Sequence, residues 1–534
     1  MKDTVYELTL SVRQSGVAGF RLKAVVPSTG CAGEAVYLKK TRIFSQYPYC
    51  FFMKKIPAIC LLICAYSFSY QGKITHTITG KNNKDRRPNI ILIMSDDQGW
   101  GQTGYYHHPV LATPNLDEMA RQGLRMDRFY AGAPVCSPTR ASVLTGRSND
   151  RSAVYSVGYP IRRQEKTIAQ ALKNAGYHTA HFGKWHLDGL KGPGVPILAS
   201  DERNPGYLGF EEWLSTSNYF DMNPLLSRRG KFESYTGGSS EVVVSEALKY
   251  IRSVKNDRDP FFVVIWLGSP HEPWTASDAD KKAFAGLDSL SQNHYGELVE
   301  MDRNIGVLRQ SLRAMGIADN TLVWFNSDNG GLKNFGPETV GGLRGFKGDV
   351  YEGGLRVPCI IEWPSVIKPH QSNFPGVTMD IFPTIADILK LPEQDMPYPV
   401  DGISLQKLFT AAMATRQKGI GFRYMGKAAW IDNQYKLVKP KAKADVFELY
   451  DLEKDPYEKN NLIEKEPKIA ASMMAAFSEW SKGVDKSVAG ADYPGGLAEK
   501  DPQPRSWLTA PEYKPFLELF NKRPEYKNTK ATED

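Results

Sequence analysis

The sequence predicts an α/β fold: a doubly wound, mixed and mostly parallel central sheet flanked by helices, with a smaller C-terminal α+β subdomain that carries an antiparallel sheet. Continuous apolar runs of strand length, such as residues 88–95 and 260–267, indicate strands that are buried on both faces. Helical patterns with one apolar stripe alternate with these runs, as at 294–315. Beyond about residue 401 the apolar runs become short and closely spaced, which predicts the subdomain.

The elements of the α/β part follow in order along the chain. Strands are expected at 88–95, 179–182, 260–267, 321–327 and 357–363. Helices are expected at 114–122, 165–175, 239–254, 294–315 and 379–391. Residues 187–236 are rich in glycine, proline and arginine and predict a long irregular excursion, of the kind that lines a site. In the subdomain, strands are expected at 421–424, 427–431, 434–438 and 447–452, and a helix at 467–480.

Length and charge limit the organisation of the chain. Its 534 residues exceed the usual size of one domain, and we place the α/β domain at 82–400, the subdomain at 401–490 and a tail at 491–534. The net charge of +8 is modest, and no basic stripe with interleaved aromatic residues is present. Nucleic acid is therefore not expected as a partner.

The N-terminal region has the features of an export signal. Lys54 and Lys55 precede the apolar run 56–66 and small residues, which predicts a signal peptide at 53–70. We interpret residues 1–52 as an upstream extension, with Met53 as the natural start; a real extension with a signal anchor is the alternative. The apolar run is short for a bilayer crossing, so no stable membrane anchor is expected. The sequence thus favours an exported protein, periplasmic or extracellular.

A Cys-x-Pro-x-Arg pentapeptide at 136–140 precedes a helical pattern that closes at Gly146. Pro138 fits the first helical turn, so Cys136 is expected at a helix N-terminus, where the dipole favours a negative charge. This position predicts a thiol of low pKa. The alternative is a structural, half-buried cysteine. Four of the six cysteines precede residue 70, so no disulfide framework is expected in an exported chain.

Polar side chains follow the ends of several predicted strands. They are Asp96, Asp97, Lys184, His186, His271, Asp328 and Asn329. The carboxyl ends of the strands meet at one edge of such a sheet, where ligands bind. The oxygen ligands among them suit Ca²⁺, with Mg²⁺ as the alternative ion. Basic groups at the same edge, together with Arg140 and Lys347, indicate an anionic substrate. Phosphate esters and sulfate esters are both anionic, so both meet this requirement.

Seven motifs in this order resemble those of formylglycine-dependent sulfatases of the alkaline phosphatase superfamily. They are NIILIMSDDQG at 89–99, residues 134–147, GKWHL at 183–187, SPHEP at 269–273, SDNGG at 327–331, LRGFKGDVYEGGLRVP at 343–358 and LYDLEKDPYEKNNL at 449–462. The resemblance covers residues 88–480. It implies that a formylglycine-generating or sulfatase-maturating enzyme oxidises Cys136 to formylglycine, whose hydrate attacks the sulfur of a sulfated carbohydrate or an aryl sulfate.

The resemblance also implies a role for each matched residue. Ca²⁺ would be bound by Asp96, Asp97, Asp328, Asn329 and residue 136. Arg140 and Lys184 would hold the hydrate and sulfate oxygens, and His186 would contact the second hydroxyl. His271 and Lys347 would serve the leaving group. Asp188 departs from the family pattern, in which glycine commonly follows the leucine at once.

Two other functions stay open at this point. One is a phosphomonoester or phosphonate hydrolase of the same superfamily, and the other is a non-catalytic binder of sulfated glycans, if Cys136 stays unmodified. For a sulfatase, the similarity favours sulfated galactose or N-acetylgalactosamine at polysaccharide ends. Five side chains are expected to be available for acidic sugars, namely Arg162, Arg163, Tyr219, Arg228 and Arg229.

Overall fold

The computed structural model describes residues 4–10, 20–26, 87–443, 446–501 and 503–526. Within the predicted upstream extension, Thr4–Leu10 and Phe20–Val26 pair as antiparallel strands in a unit of their own. The predicted signal peptide at 53–70 lies outside the described residues. No helix in the described ranges combines the length and apolarity that a bilayer crossing requires.

A ten-stranded mixed sheet forms the centre of the larger unit. In chain order its strands are β1 (Asn89–Ser95), β2 (Leu124–Met126), β3 (His178–Lys184), β4 (Glu212–Thr216), β5 (Leu225–Arg228), β6 (Lys231–Ser234), β7 (Phe261–Trp266), β8 (Thr321–Ser327), β9 (Cys359–Glu362) and β10 (His370–Ser372). Across the sheet the order is β6-β5-β4-β3-β7-β1-β8-β9-β2-β10. The five neighbouring strands β4, β3, β7, β1 and β8 run parallel, which confirms the predicted mostly parallel sheet.

Helices cover both faces of this sheet. They are α1 (Pro114–Gln122), α2 (Cys136–Thr145), α3 (Ile168–Asn174), α4 (Ser239–Val254), α5 (Asp278–Lys281), α6 (Ser289–Ala314), α7 (Glu352–Leu355) and α8 (Ile381–Leu389). In β1, Ile90 and Leu92 join the apolar core on one face, whereas Ile91 and Ile93 join the core on the other. Side chains alternate along a strand, so a continuous apolar run is buried on both faces, as predicted.

Several local features differ from the prediction. Strands β4, β5 and β6 lie inside the predicted excursion 187–236 and extend the central sheet, although their runs are only four or five residues long. Helix α3 begins at Ile168 rather than at 165. Thr167 accepts a hydrogen bond from the backbone of Gln170, and the side chain of Gln170 bonds back, so this capping box sets the start of the helix.

The C-terminal subdomain contains the predicted antiparallel sheet. Its strands are β11 (Ile420–Tyr424), β12 (Lys427–Asp432), β13 (Tyr435–Lys439) and β14 (Glu448–Asp451), paired in this order. Helix α9 (Pro467–Val488) packs on this sheet through Ala470 and Met473. Two further small sheets consist of two-residue strands. One contains Phe129–Tyr130, Arg356–Val357 and Gly376–Val377, and the other contains Leu190–Lys191 and Arg505–Ser506.

The C-terminal tail wraps back onto the α/β part of the chain. Arg505–Ser506 pairs in parallel with Leu190–Lys191, and the short helix α10 (Leu517–Asn521) follows. Trp507 is 1% exposed and contacts the rings of Phe520 and Tyr526, with centroids 5.5 Å apart in both cases. The tail is therefore held by an apolar core of its own.

We expect the Trp507→Ala variant to lose about 3–5 kcal/mol of unfolding free energy, because it opens a cavity in this core. Thermal and denaturant unfolding of the full chain measure the loss. Leu519→Ala is the matched control, since Leu519 lies in the same tail but is 43% exposed. Equal stability of the two variants would show that the tail does not depend on this core.

Candidate active site

The parallel strands bring the predicted polar residues to one edge of the sheet. Ser95 pairs with Ser327, so Asp96 and Asp328 follow adjacent strand ends. The backbone N–H of Asp96 donates to the carbonyl of Ser269 at 3.0 Å, which brings the segment before His271 to the same place. Lys184 is the last residue of β3. The predicted convergence of these segments is thus present.

Each of three buried carboxylates lies within hydrogen-bonding distance of a cation. Lys184 Nζ lies 2.6 Å from Asp96 Oδ2, and Lys347 Nζ lies 2.7 Å from Asp97 Oδ1. The third pair joins Arg140 Nη2 to Asp328 Oδ2 at 2.7 Å. The guanidinium of Arg140 also lies 5.1 Å from the ring centroid of Trp266, a cation–π contact that orients it.

These pairs shift the pKa of the groups in them. Burial raises the pKa of the Asp96 carboxyl, but the charge of Lys184, helped by His271 and Arg140, outweighs it and holds the pKa well below its usual range. For Lys347, burial acts to lower the pKa, and the charge of Asp97 raises it above its ordinary value. For Asp328, burial and then the charge of Asp96 raise the pKa to about 7. Asp96 and Asp328 therefore lie close enough for the charge of one carboxylate to oppose ionisation of the other.

Cys136 is the first residue of α2, as predicted, and is 1% exposed. Its Sγ and one carboxylate oxygen each of Asp96 and Asp328 all lie within 4.8 Å of one another. Burial raises the pKa of the thiol, although Lys184 and Lys347 act to lower it. The prediction of a low-pKa thiol is therefore wrong, because the helix N-terminus lies in the interior and faces carboxylates.

Two imidazole rings border this group. His271 Nδ1 lies 2.7 Å from the carbonyl of Glu272, which can only accept, so Nδ1 carries a proton and Nε2 is left to titrate. Nε2 lies 3.8 Å from Asp97 Oδ2. Both ring nitrogens of His186 are buried and have no hydrogen-bond partner among the described residues. Burial lowers the pKa of both rings.

The sequence did not predict the backbone conformation at the site. Asp97 and His186 adopt left-handed φ angles of 69° and 59°, which cost free energy for residues with a Cβ and often occur at functional sites. A Cβ at Gly183 would come within 1.9 Å of the carbonyl oxygen of Trp266. Glycine before Lys184 therefore lets β3 and β7 approach closely where the site begins.

The arginines expected to face acidic sugars are mostly engaged elsewhere. Arg162 pairs with Asp501, and Arg163 Nε lies 2.8 Å from Glu499 Oε1. Arg228 bonds three glutamates, at distances of 2.7 to 3.2 Å. Their availability was wrongly predicted, because these partners lie far along the chain or across strands. Arg229 is exposed.

The structure also shows what Tyr219 and Asp188 contact. The ring of Tyr219 stacks on that of His271, with centroids 5.0 Å apart and planes at 14°. Asp188 is buried, and its Oδ1 accepts from the backbone N–H of Leu190 at 3.2 Å. The extra residue after the GKWHL motif thus shapes the turn that leads to the strand pair with the tail.

The donor set fits a hard divalent cation. Asp96 Oδ1 and Asn329 Oδ1 are buried without a hydrogen-bond partner among the described residues. Asn329 Nδ2 donates to Asp97 Oδ1 at 2.8 Å, and the backbone N–H of Asp97 donates to Asp328 Oδ1 at 3.1 Å, so these side chains form one cluster. Buried side-chain oxygens that accept no hydrogen bond can serve as ligands of Ca²⁺ or Mg²⁺. Residue 136 is the remaining candidate ligand, and it would need an oxygen in place of its sulfur to bind such a hard cation.

The carboxyl edge of this α/β sheet thus carries buried ion pairs beside a candidate metal cluster. A family model described as Sulfatase matches residues 88–391, and one described as N-sulphoglucosamine sulphohydrolase, C-terminal, matches residues 346–481. The first match covers more than half of the chain, so the protein belongs to the sulfatase family.

Similar proteins include enzymes named for sulfated sugars. N-acetylgalactosamine-6-sulfatase of Sus scrofa is 31% identical over 61% of this chain and 66% of its own length, which is just under two thirds. The ulvan-active sulfatase of Formosa agariphila is 26% identical over 77% of this chain and 83% of its own. A crystal structure of Ps i-CgsB in complex with k-i-k-neocarrahexaose superposes with a TM-score of 0.66 at 25% identity, covering 74% of this chain and 93% of that one.

We expect Ca²⁺ to bind the purified full chain, and the Asp328→Asn variant to bind it at least about tenfold more weakly, because a charged ligand is lost. Isothermal titration calorimetry measures the affinity, and Ca²⁺ should also raise the Tm of the wild-type chain by mass action. Asp432→Asn, on the exposed end of β12, is the control. Equal affinities in both variants would exclude Asp328 as a ligand.

Proposed function

We propose that this protein hydrolyses sulfate esters of carbohydrates at residue 136, converted from cysteine to formylglycine. One observation carries the proposal: position 136 is buried beside two carboxylates and two lysines, a set that can bind a metal and an anionic ester together. A structural cysteine would not need such surroundings. A thiol whose pKa is raised is also a poor nucleophile by itself, which favours a converted residue.

The cations give the site its selectivity for an ester anion. Lys184, Lys347 and Arg140 all form ion pairs with buried carboxylates, so their positions are set before a ligand enters. They can neutralise sulfate oxygens and hold the sulfur beside residue 136. Because these groups are positioned in advance, little reorganisation is needed when charge develops on the oxygens.

His271 is the group suited to protonate the leaving oxygen. In the overall reaction the bond between sulfur and the sugar oxygen breaks, water supplies the new oxygen on sulfur, and the sugar oxygen takes a proton. Burial lowers the pKa of His271, so its protonated ring releases a proton more readily than an ordinary imidazolium, and the charge of a bound ester favours protonation at Nε2. The stacked ring of Tyr219 keeps the imidazole in this orientation.

His186 is the group suited to accept a proton at residue 136. Its pKa is lowered by burial first and then by Lys184 and Arg140, so the ring is neutral and a nitrogen is free to accept. The hydrated aldehyde of a formylglycine would supply the oxygen nucleophile and a second hydroxyl for release of sulfate. A Ca²⁺ ion held by Asp96, Asp97, Asp328 and Asn329 would make that oxygen more acidic and neutralise sulfate charge.

The proposal extends to substrate and location. The relatives named for N-acetylgalactosamine-6-sulfate and for ulvan support a sulfated sugar as substrate, with galactose or N-acetylgalactosamine types favoured. The signal-like segment at 53–70 supports export to the periplasm or the exterior. Conversion of Cys136 requires a formylglycine-generating or sulfatase-maturating enzyme as a partner.

We expect Cys136→Ala to lower 4-nitrophenyl sulfate hydrolysis at least about a thousandfold, because the nucleophile is removed. The protein is coproduced with a maturating enzyme, and mass spectrometry of the Cys136 peptide verifies the aldehyde. Cys359→Ala is the matched control, a buried cysteine of β9 in the core of the sheet. An active protein with an intact Cys136 thiol, or faster turnover of 4-nitrophenyl phosphate, would contradict the proposal.

We expect His271→Gln to reduce kcat for a sulfated sugar about 100-fold or more, but kcat for 4-nitrophenyl sulfate much less. Nitrophenolate leaves without protonation, whereas a sugar alkoxide needs the acid. Steady-state kinetics on both substrates measure the ratio, and His370→Gln, in β10 at the edge of the sheet, is the control. Equal losses on both substrates would assign His271 to binding rather than to proton transfer.

A further inference from the structure

The glycine-rich loop 343–351 carries Lys347 between two other segments of the site. The backbone N–H of Lys347 donates to the carbonyl of Gly331 at 3.0 Å, and that of Gly348 donates to the carbonyl of Pro134 at 2.9 Å. Gly331 ends the SDNGG motif, and Pro134 lies shortly before the residue proposed as nucleophile. The position of the Lys347 amine therefore depends on the conformation of this loop.

The antiparallel subdomain contacts the other side of the same loop. Lys427 is the first residue of β12, and its Nζ donates to the carbonyl of Gly348 at 2.9 Å and lies 3.0 Å from Asp349 Oδ1. The backbone of Gly348 is thus held from two sides, through its N–H by Pro134 and through its carbonyl by Lys427. Because Gly348 adjoins Lys347, Lys427 limits the movement of the residue that carries the amine.

Strand β14 of the subdomain holds both ends of the loop. Nη1 of Arg344, near the start of the loop, donates to the hydroxyl of Tyr450 at 2.7 Å and to the carbonyl of Glu458 at 3.0 Å. Its guanidinium lies 3.9 Å from the ring centroid of Tyr351, the last residue of the loop. The hydroxyl of Tyr351 donates to Glu448 at 2.7 Å. Tyr450 and Glu448 both belong to β14, so one strand fixes the two ends together.

A buried ion cluster fixes the residue that follows the loop. Lys436 Nζ, from β13, lies 2.9 Å from Glu352 Oε1 and 3.0 Å from Glu458 Oε1, and all three side chains are unexposed. The backbone N–H of Glu352 donates to Glu458 Oε2 at 2.7 Å. Glu458 adopts a left-handed φ of 54°, a conformation that surrounding contacts must stabilise. The LYDLEKDPYEKNNL motif, which has no part in the proposed chemistry, thus supplies a contact to the loop.

We propose that the antiparallel subdomain is a clamp that positions Lys347 for the reaction, with Lys427, Lys436 and Glu458 as positioning residues that act through the loop. The inference rests on the proposed sulfatase function, in which the Lys347 amine neutralises sulfate oxygens. Displacement of such a group by about 1 Å can lower a rate on the order of 100-fold. Contacts that fix the loop therefore control turnover without touching the substrate.

Lys427 is the member of the clamp that can be replaced without unfolding the subdomain. Its side chain is 30% exposed, whereas loss of one partner in the buried cluster would leave a charge unpaired in the interior. Val350 and Leu355 pack with Phe422 and Ile431 in one apolar core, which joins the two parts of the chain without Lys427. The Tm of the Lys427→Met variant should therefore stay within about 3 °C of the wild-type value.

We expect Lys427→Met to lower kcat/KM for 4-nitrophenyl sulfate about tenfold in the aldehyde-bearing full chain, because methionine cannot donate to the Gly348 carbonyl. Lys427→Arg keeps the charge and the N–H donors and should retain most of the rate. Arg423→Met is the matched control. Arg423 lies in the neighbouring strand β11 with its side chain 29% exposed, and it pairs with Asp150 and Asp485 rather than with the loop.

A double-mutant cycle separates positioning from an independent role. If Lys427 acts through Lys347, Lys427→Met should change the rate less than about twofold once Lys347→Ala has removed the amine. Hydrogen exchange measured by mass spectrometry gives a second readout that needs no turnover. The backbone amides of Lys347 and Gly348 should exchange about tenfold faster in Lys427→Met, and at the wild-type rate in Arg423→Met.

Each outcome decides the inference. Equal losses from Lys427→Met with and without the Lys347 amine would show that Lys427 acts by another route, which overturns the inference. Unchanged turnover or unchanged amide exchange in Lys427→Met would also overturn it and leave the sulfatase function standing. Failure of the aldehyde-bearing wild-type chain on every sulfate ester contradicts the proposed function, whereas the exchange rates still decide whether the subdomain holds the loop.

Discussion

The mutual neutralisation of buried charges at one edge of the central sheet is the constraint on which the rest of the structure depends. Asp96, Asp97 and Asp328 are all essentially unexposed, and an unpaired buried carboxylate costs several kcal/mol. Their partners come from the end of β3, from α2 and from the glycine-rich loop that carries Lys347. The sheet, the first turn of α2 and that loop must therefore assemble together, or the charges are left unpaired in the interior.

This constraint also sets the surroundings of position 136. Helix α2 is buried along its whole length, so its N-terminus points into the charged cluster rather than into solvent. Burial and the neighbouring carboxylates disfavour a thiolate there, whereas a neutral hydrated aldehyde would pay no such cost. The same surroundings that make cysteine a poor nucleophile are compatible with a converted residue beside a divalent cation.

The cleft beside Tyr219 differs in charge from the cluster around residue 136. The charged cluster pairs three cations with three carboxylates, whereas the small cleft beside Tyr219 is lined by two carboxyl side chains and is bordered by the tail. The tail, whose apolar core includes Trp507, thus has a place in the architecture of the pocket as well as in stability.

The sequence by itself determined the strands that are buried on both faces, the order of helices, the antiparallel subdomain and the residues that follow the strand ends. Those features follow from local apolar periodicity and from a topological rule that places strand ends together. The tertiary structure alone decided that β4, β5 and β6 join the sheet, that Arg162 and Arg228 are paired internally, and that the Cys136 thiol has a raised pKa. Each of these depends on partners distant in the chain, such as Asp501 for Arg162, and a local pattern does not specify such a partner.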